Sequence, residues 1–154
     1  MSMFNDLPVV EVKRLSNTAV VPTSAHGADA GLDLYANEDV FIKIGETGTI
    51  RTGVALGIPR GFYGKIEDRS SLALAGIRSG AGVVDAGYNG EIKVVLHNLN
   101  NGNESTHLGR GYQIKQGQRI AQLIVQSVVP VRLVEVEALE TSERGANGFG
   151  STGR

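Results

Sequence analysis

Short runs rich in β-branched residues, each closed by turn formers, recur along the chain and constrain its fold more than any other feature. Val9–Leu15, Val40–Ile44, Thr49–Arg51, Val54–Ile58, Phe62–Glu67, Ile92–Leu96, Ile120–Val129 and Val131–Val136 read as strands. Between them stand Pro59-Arg60-Gly61, Asn89-Gly90, Asn101-Gly102, Gly109-Arg110-Gly111 and Gln116-Gly117, residues that turn a chain cheaply. Only Ser70–Ala75 reads as helix, a turn or two, with Ser70 or Ser71 as its cap. Aromatics make up 5% of the chain and glycine occurs 21 times, so Val, Ile and Leu must build the core and the backbone must turn often. The expected fold is all-β, a jelly-roll-like barrel or sandwich.

At 154 residues the chain supports one domain with a sizeable core. The formal net charge of -1 supplies no bulk basic field, so neither nucleic acid nor an anionic membrane is an expected partner, and any affinity for phosphate must be local. Cysteine is absent, which excludes disulfides, thiolate metal sites and a cysteine nucleophile. The opening Met-Ser-Met-Phe-Asn-Asp has neither a basic nor an apolar leader region. The most apolar stretch, Ile120 to Val136, is broken by Gln122, Gln126, Pro130, Arg132 and Glu135 and cannot span a bilayer as a helix. A cytoplasmic location, or a nuclear one in a eukaryote, is therefore expected.

The composition changes after about Glu140, dividing the chain into a β domain (1–140) and a glycine-rich tail (141–154). Gly145–Arg154 holds four glycines, one aromatic and two hydroxyl residues, too little apolar surface to hold itself in place. Such a tail is expected to order against a ligand or another subunit. Its glycines let backbone N–H groups approach a ligand, Arg144 offers a guanidinium fork for phosphate, and Ser151 and Thr152 offer hydroxyls. Phe149, with no core to join, suits stacking on a flat base. A low-complexity terminus without a function is the competing explanation.

Three further segments could carry chemistry. Asp68-Arg69-Ser70-Ser71-Leu72-Ala73 follows a strand and opens the one helical turn, where free N–H groups and the dipole attract anions. Taken alone, the segment is more commonly an ordinary serine-capped helix with a surface arginine. In Gly80–Lys93, Asp85 follows a small apolar strand segment and precedes a glycine turn, where a partly desolvated carboxylate can act as general base toward water. Tyr88 in that turn can pack its ring against a sugar; the alternative is an Asx-type turn. In Ala30–Tyr35, Asp33 interrupts an alternating apolar pattern, as a carboxylate serving a hydrated metal ion or as a solvated strand position. His26, His97 and His107 share no ligand spacing, which argues against zinc.

Taken in order, Ala30–Tyr35, Arg69–Ala73, Gly82–Gly90, Gly117–Leu123 and Arg144–Gly153 resemble the five motifs of the trimeric dUTPase family. The resemblance covers nearly the whole chain and implies hydrolysis of dUTP to dUMP and pyrophosphate. It implies that Asp85 activates the water striking the α-phosphorus and that Tyr88 lies against the deoxyribose and excludes a 2′-hydroxyl. Backbone groups of Gly82, Val83 and Val84 would read uracil, with Lys93 near the nucleotide. Arg69, Ser70, Ser71 and Gln122 would hold the phosphates. Mg²⁺ would be held mainly by the phosphates, with Asp33 touching it through water. Arg144, Phe149, Gly150, Ser151 and Thr152 would form a lid donated by another subunit of a homotrimer, and Pro130 sits where relatives have a hinge before an exchanged C-terminal strand. The chain departs from the common pattern at Ser71, Ser79 and Asn147, where many relatives carry glycine, asparagine and glycine respectively.

Two rivals share this scaffold. A dCTP deaminase-like enzyme also shows an Arg-Ser-Ser motif, but it carries a glutamate where this chain has Val95, which cannot handle protons. A regulatory binding module on a dUTPase scaffold is the other; Asp85, Tyr88 and Arg144 are all present, which argues against lost catalysis.

Overall fold

The computed structural model of the chain describes residues 7–101, 111–142 and 145–146. The described residues form β1 (Glu11–Arg14), β2 (Leu32–Tyr35), β3 (Val40–Lys43), β4 (Thr47–Gly57), β5 (Phe62–Glu67), α1 (Ser70–Leu74), β6 (Ile77–Gly80), β7 (Val83–Val84), β8 (Glu91–Asn98), β9 (Gly111–Ile114) and β10 (Arg119–Ser127). Two four-stranded sheets, ordered β1-β4-β8-β6 and β2-β10-β5-β7, are joined by a β3-β9 ribbon. Every pairing is antiparallel. Alternation along β8 sends Ile92, Val94, Leu96 and Asn98 inward and leaves Lys93 exposed. Ile92, Val94 and Leu96 meet Ile50 and Leu56 of β4, Ile42 and Ile114 of the ribbon, and Leu34, Ile66 and Leu123 of the other sheet in one aliphatic cluster. No described helix is long and apolar enough to cross a membrane.

The all-β expectation holds, and the element boundaries differ from it for identifiable reasons. Thr49–Arg51 and Val54–Ile58 are halves of one strand, β4, because the chain between them bulges without leaving the sheet. Arg51 faces Lys93 and Ala55 faces Glu91, so three β4 residues oppose the single Ile92, and Gly53 takes a φ of +69° at the bulge. β6 and β9, which the sequence reading passed over, are short and interrupted by Arg78, Ser79 and Gln113; their partners β8 and β3 hold them.

The strand expected over Val131–Val136 is absent. That segment runs without a ladder partner, leaving Val131 78% and Leu133 92% exposed. A lone apolar strand has no structure of its own until another edge completes its hydrogen bonds. The cap of α1 also differs: Arg69, not a serine, is the N-cap, with extended backbone and no side-chain bond. Leu72 is buried and sets the helix phase, so Ser70 and Ser71 fall inside the first turn, while Leu72 and Ala73 both donate to the Arg69 carbonyl.

Candidate active site

The hairpin that carries Asp85 and Tyr88 is shaped by backbone sterics. β7 is two residues long and pairs with β5 through Val84↔Gly64 and Val83↔Lys65. Just before it, the Gly82 carbonyl accepts from Ile66 N–H at 2.7 Å. A Cβ on Gly82 would stand 2.8 Å from the Ile66 carbonyl oxygen, so only glycine lets the two backbones approach. After β7 the chain turns through Asp85-Ala86-Gly87-Tyr88, closed by a 3.2 Å bond from Tyr88 N–H to the Asp85 carbonyl. Gly87, at φ +86°, supplies the positive φ that the third position of a type II turn requires. The Tyr88 ring folds over Gly90, where a Cβ would lie 2.5 Å from its hydroxyl oxygen, and that hydroxyl donates to the Glu91 carbonyl at 3.1 Å.

These elements enclose a cavity of about 230 Å³ with Ala81, Val83, Asp85, Tyr88 and Lys93 in its walls. That is narrower than the roughly 300–1,000 Å³ typical of pockets for drug-sized ligands. β7 is the edge of its sheet, so the backbone groups on its outer side meet no further strand. Asp85 is exposed in the single chain, so desolvation of its carboxylate has to come from whatever closes over it.

A second cavity, about 340 Å³, gathers Asp33, Arg69, Ser70, Arg119 and Gln122. Its geometry follows from register: Gln122 of β10 pairs with Asp33 of β2 on one side and Glu67 of β5 on the other. Gln122 Nε2 donates to the Asp68 carbonyl at 2.8 Å, and the amide fits because Gly31 opposite has no side chain; a Cβ there would collide with it. The Asp33 carboxylate sits between two guanidiniums, Arg69 Nε at 2.9 Å from Oδ1 and Arg119 Nη1 at 3.1 Å from Oδ2. Ser71 is exposed and is not part of this cavity's wall. Asp68, beneath the loop, accepts from Ser79 N–H at 2.6 Å and from Arg78 Nε at 2.5 Å. Burial alone would push its carboxyl up, but those bonds and the Arg78 charge more than offset this and hold it below the ordinary 3.8.

The two cavities are well apart within one chain. Asp85 continues β7 to the row of Tyr63 and Gln126, while Asp33 lies in the row of Gln122 and three strand spacings away. At ~4.8 Å per strand and ~3.3 Å per residue, the separation is on the order of 20 Å. Two phosphoanhydride links cannot bridge it.

No group of three or more His, Asp or Glu that could hold an ion occurs among the described residues. Asp29 and Asp33 are the carboxylates in the wall of this cavity, and Asp33 is already shared by two arginines, which fits an outer-sphere contact to an ion held by phosphate oxygens better than direct coordination.

Arg144, Phe149, Gly150, Ser151 and Thr152, assigned to a lid, lie outside the described residues, as does His107. Sequence reasoning passed over Arg119, Asp68 and Glu91 as site components. Arg119 was detectable as a cation in the fourth motif, but its pairing with Asp33 depends on register between strands more than 80 residues apart.

The dUTPase family model matches residues 17–153. The deoxyuridine 5′-triphosphate nucleotidohydrolase of Saccharomyces cerevisiae is 44% identical over 147 residues, covering 94% of this chain and 95% of the relative. The dUTPase of Staphylococcus bacteriophage 80alpha, solved with dUpNHpp, superposes with a TM-score of 0.85 at 32% identity, covering 95% of this chain and 99% of that one. A mutant dUTPase from phage phi11 of S. aureus, described as coordinating a structural Mg(II) ion, gives a TM-score of 0.76 at 29% identity over 86% of this chain and 99% of that one. The jelly-roll-like β fold is thus that of relatives matched over nearly the whole chain, and the chain belongs to the dUTPase family.

Proposed function

We propose that this chain hydrolyses dUTP to dUMP and pyrophosphate, with Asp85 as the general base. The carboxylate beside the 230 Å³ cavity, held at the end of the β7 edge strand, carries this reading. Asp85 takes a proton from a water molecule as the water oxygen bonds to the α-phosphorus. The bond from that phosphorus to the bridging oxygen breaks and pyrophosphate leaves with the electron pair. Fixed N–H and C=O groups of Gly82, Val83 and Val84 suit the edge of uracil, and the narrow walls disfavour a thymine methyl. Tyr88 is assigned as the wall that bars a 2′-hydroxyl, supported by its place in the lining of this cavity. Lys93, exposed on β8 beside the same cavity, supplies a positive charge near the nucleotide.

The phosphates are assigned to Arg69, Ser70, Ser71 and Gln122, supported by the cavity that joins the first, second and fourth of these. Mg²⁺ held by the phosphate oxygens, with Asp33 reaching it through water, would neutralise charge and orient the triphosphate for in-line attack. Since the Asp85 cavity and the arginine cavity are too far apart to share one nucleotide, a complete site takes Asp85 and Tyr88 from one copy of the chain and Arg69 and Gln122 from another. This supports a homotrimer with active sites between subunits. The exposed apolar run at Val131, Leu133, Val134 and Val136, just beyond Pro130, supports exchange of this segment onto a neighbour. Residues 141–154, with Arg144, Phe149, Gly150, Ser151 and Thr152, are assigned as the lid that closes over the base and phosphates, completing the β domain of 1–140.

The test is pyrophosphate release from dUTP, dCTP, dTTP and UTP, with and without Mg²⁺. Fast release from dUTP alone, dependent on Mg²⁺, is expected. Ammonia from dCTP would favour the deaminase, and nucleotide binding without turnover would favour a regulatory module.

A further inference from the structure

The base of the Tyr88 hairpin is held by a carboxylate that the reaction itself does not use. Glu91 opens β8 directly after the turn, and its side chain, 12% exposed, reaches back to the β4 bulge. There, three β4 residues face Ile92 alone and the regular ladder is broken. Glu91 fills the gap. Its carboxylate accepts from Gly53 N–H at 3.0 Å and from Arg51 Nε at 3.0 and 3.2 Å, while Thr52 Oγ1 donates to the Ile92 carbonyl at 2.6 Å. The carbonyl of the same Glu91 receives the Tyr88 hydroxyl. One residue therefore grips the bulge with its side chain and the tyrosine with its backbone, in the wall of the cavity that holds Asp85.

We infer that Glu91, braced by Arg51, is a positioning residue that sets how strictly the site separates deoxyribose from ribose. The inference rests on Tyr88 being the wall against the sugar. Steric exclusion of one hydroxyl works only if the ring does not yield by a fraction of an ångström, so the stiffness of its anchor decides the selectivity. A carboxylate satisfied by a guanidinium and a backbone amide, and largely shielded from water, is a stiff anchor: charge-assisted bonds are short and leaving them unpaired is costly.

The experiment measures kcat/KM for dUTP and for UTP with the full-length native protein, Glu91→Gln, Arg51→Gln and Arg51→Lys, with melting temperature recorded for each. Glu91→Gln keeps the shape and loses the charge; Arg51→Gln alters only the brace, at a side chain 58% exposed, and remains decisive if the first variant does not fold. Both are expected to lower the dUTP/UTP ratio about tenfold, mainly through better use of UTP, with Arg51→Lys recovering part of the loss. A purely structural role would lower both substrates together and leave the ratio unchanged, which overturns the inference. A native protein that does not separate dUTP from UTP would sink the role of Tyr88 itself; native discrimination that survives in every variant sinks only the role of Glu91.

Discussion

The Asp85–Tyr88 hairpin and the Asp33–Arg69–Arg119–Gln122 cluster differ in how they are prepared for a ligand. The hairpin is built by backbone: Gly82 against the Ile66 carbonyl, Gly87 at positive φ, and Tyr88 seated over Gly90. Its shape is set before anything binds, while Asp85, Tyr88 and Val83 stay open to water. In the cluster, charge does the same work. Two guanidiniums are kept in place by one carboxylate, and an arriving phosphate would compete with or join Asp33 for them. On the proposed assignment, base and sugar recognition in the hairpin is steric, while phosphate recognition in the cluster is electrostatic and adjustable.

If that contrast holds, damage to the hairpin should be severe and selective. Asp85→Ala is expected to lower kcat by on the order of 10²–10⁴ while nucleotide binding persists, measured by turnover and by dUMP titration. Full activity would remove Asp85 from the chemistry. Gly82→Ala comes next: the new methyl meets a backbone carbonyl that cannot rotate away, and displacement of about 1 Å should lower kcat/KM about 10²-fold. An unchanged value would mean the hairpin is softer than its contacts imply. Mixing Asp85→Ala protein with protein lacking residues 144–154 sharpens the comparison further. Partial recovery of activity is expected if subunits share sites, and complete silence would count against sharing.

Much of this was legible in the sequence, for a physical reason. The hairpin is specified locally: Gly82, Asp85, Gly87, Tyr88 and Gly90 lie within nine residues, and the glycines report the backbone geometry directly. The cluster is specified by register. Asp33 comes from β2, Arg69 from the N-cap of α1 and Arg119 from the start of β10, and nothing local to Arg119 says that it shares a carboxylate with Arg69. The β4 bulge looks in the sequence like a gap between two strands for the same reason, since a bulge is defined by the partner that continues past it. Val131–Val136 failed in the opposite sense. Its strand propensity is genuine, but a strand needs an edge to pair with, and this segment pairs with none among the described residues.

Charge in the cluster should produce effects smaller than those of the hairpin. Asp33→Asn is expected to raise KM for dUTP several-fold while leaving dUMP affinity unchanged, because it loosens the arginines and spares the hairpin; a matched loss of dUMP affinity would erase the division. Partial exposure of both guanidiniums limits the accompanying stability cost to about 1 kcal/mol.

The smallest effect concerns Asp68, which carries the loop beneath the cluster. Its folded-state pKa lies below the ordinary 3.8, so folding favours the ionised form. The stability it contributes is therefore fully present above the ordinary value and is lost as pH falls through the lowered folded-state value. Melting temperatures of the native protein and Asp68→Asn should accordingly differ near neutral pH and converge in acid below about pH 4. The same comparison with Arg78→Gln should show a partial difference, because Ser79 N–H still binds the carboxylate when the guanidinium is gone. A gap that stayed constant with pH would show that Asp68 acts through shape and not through charge, and the loop under the arginines would then belong with the hairpin as a sterically built part.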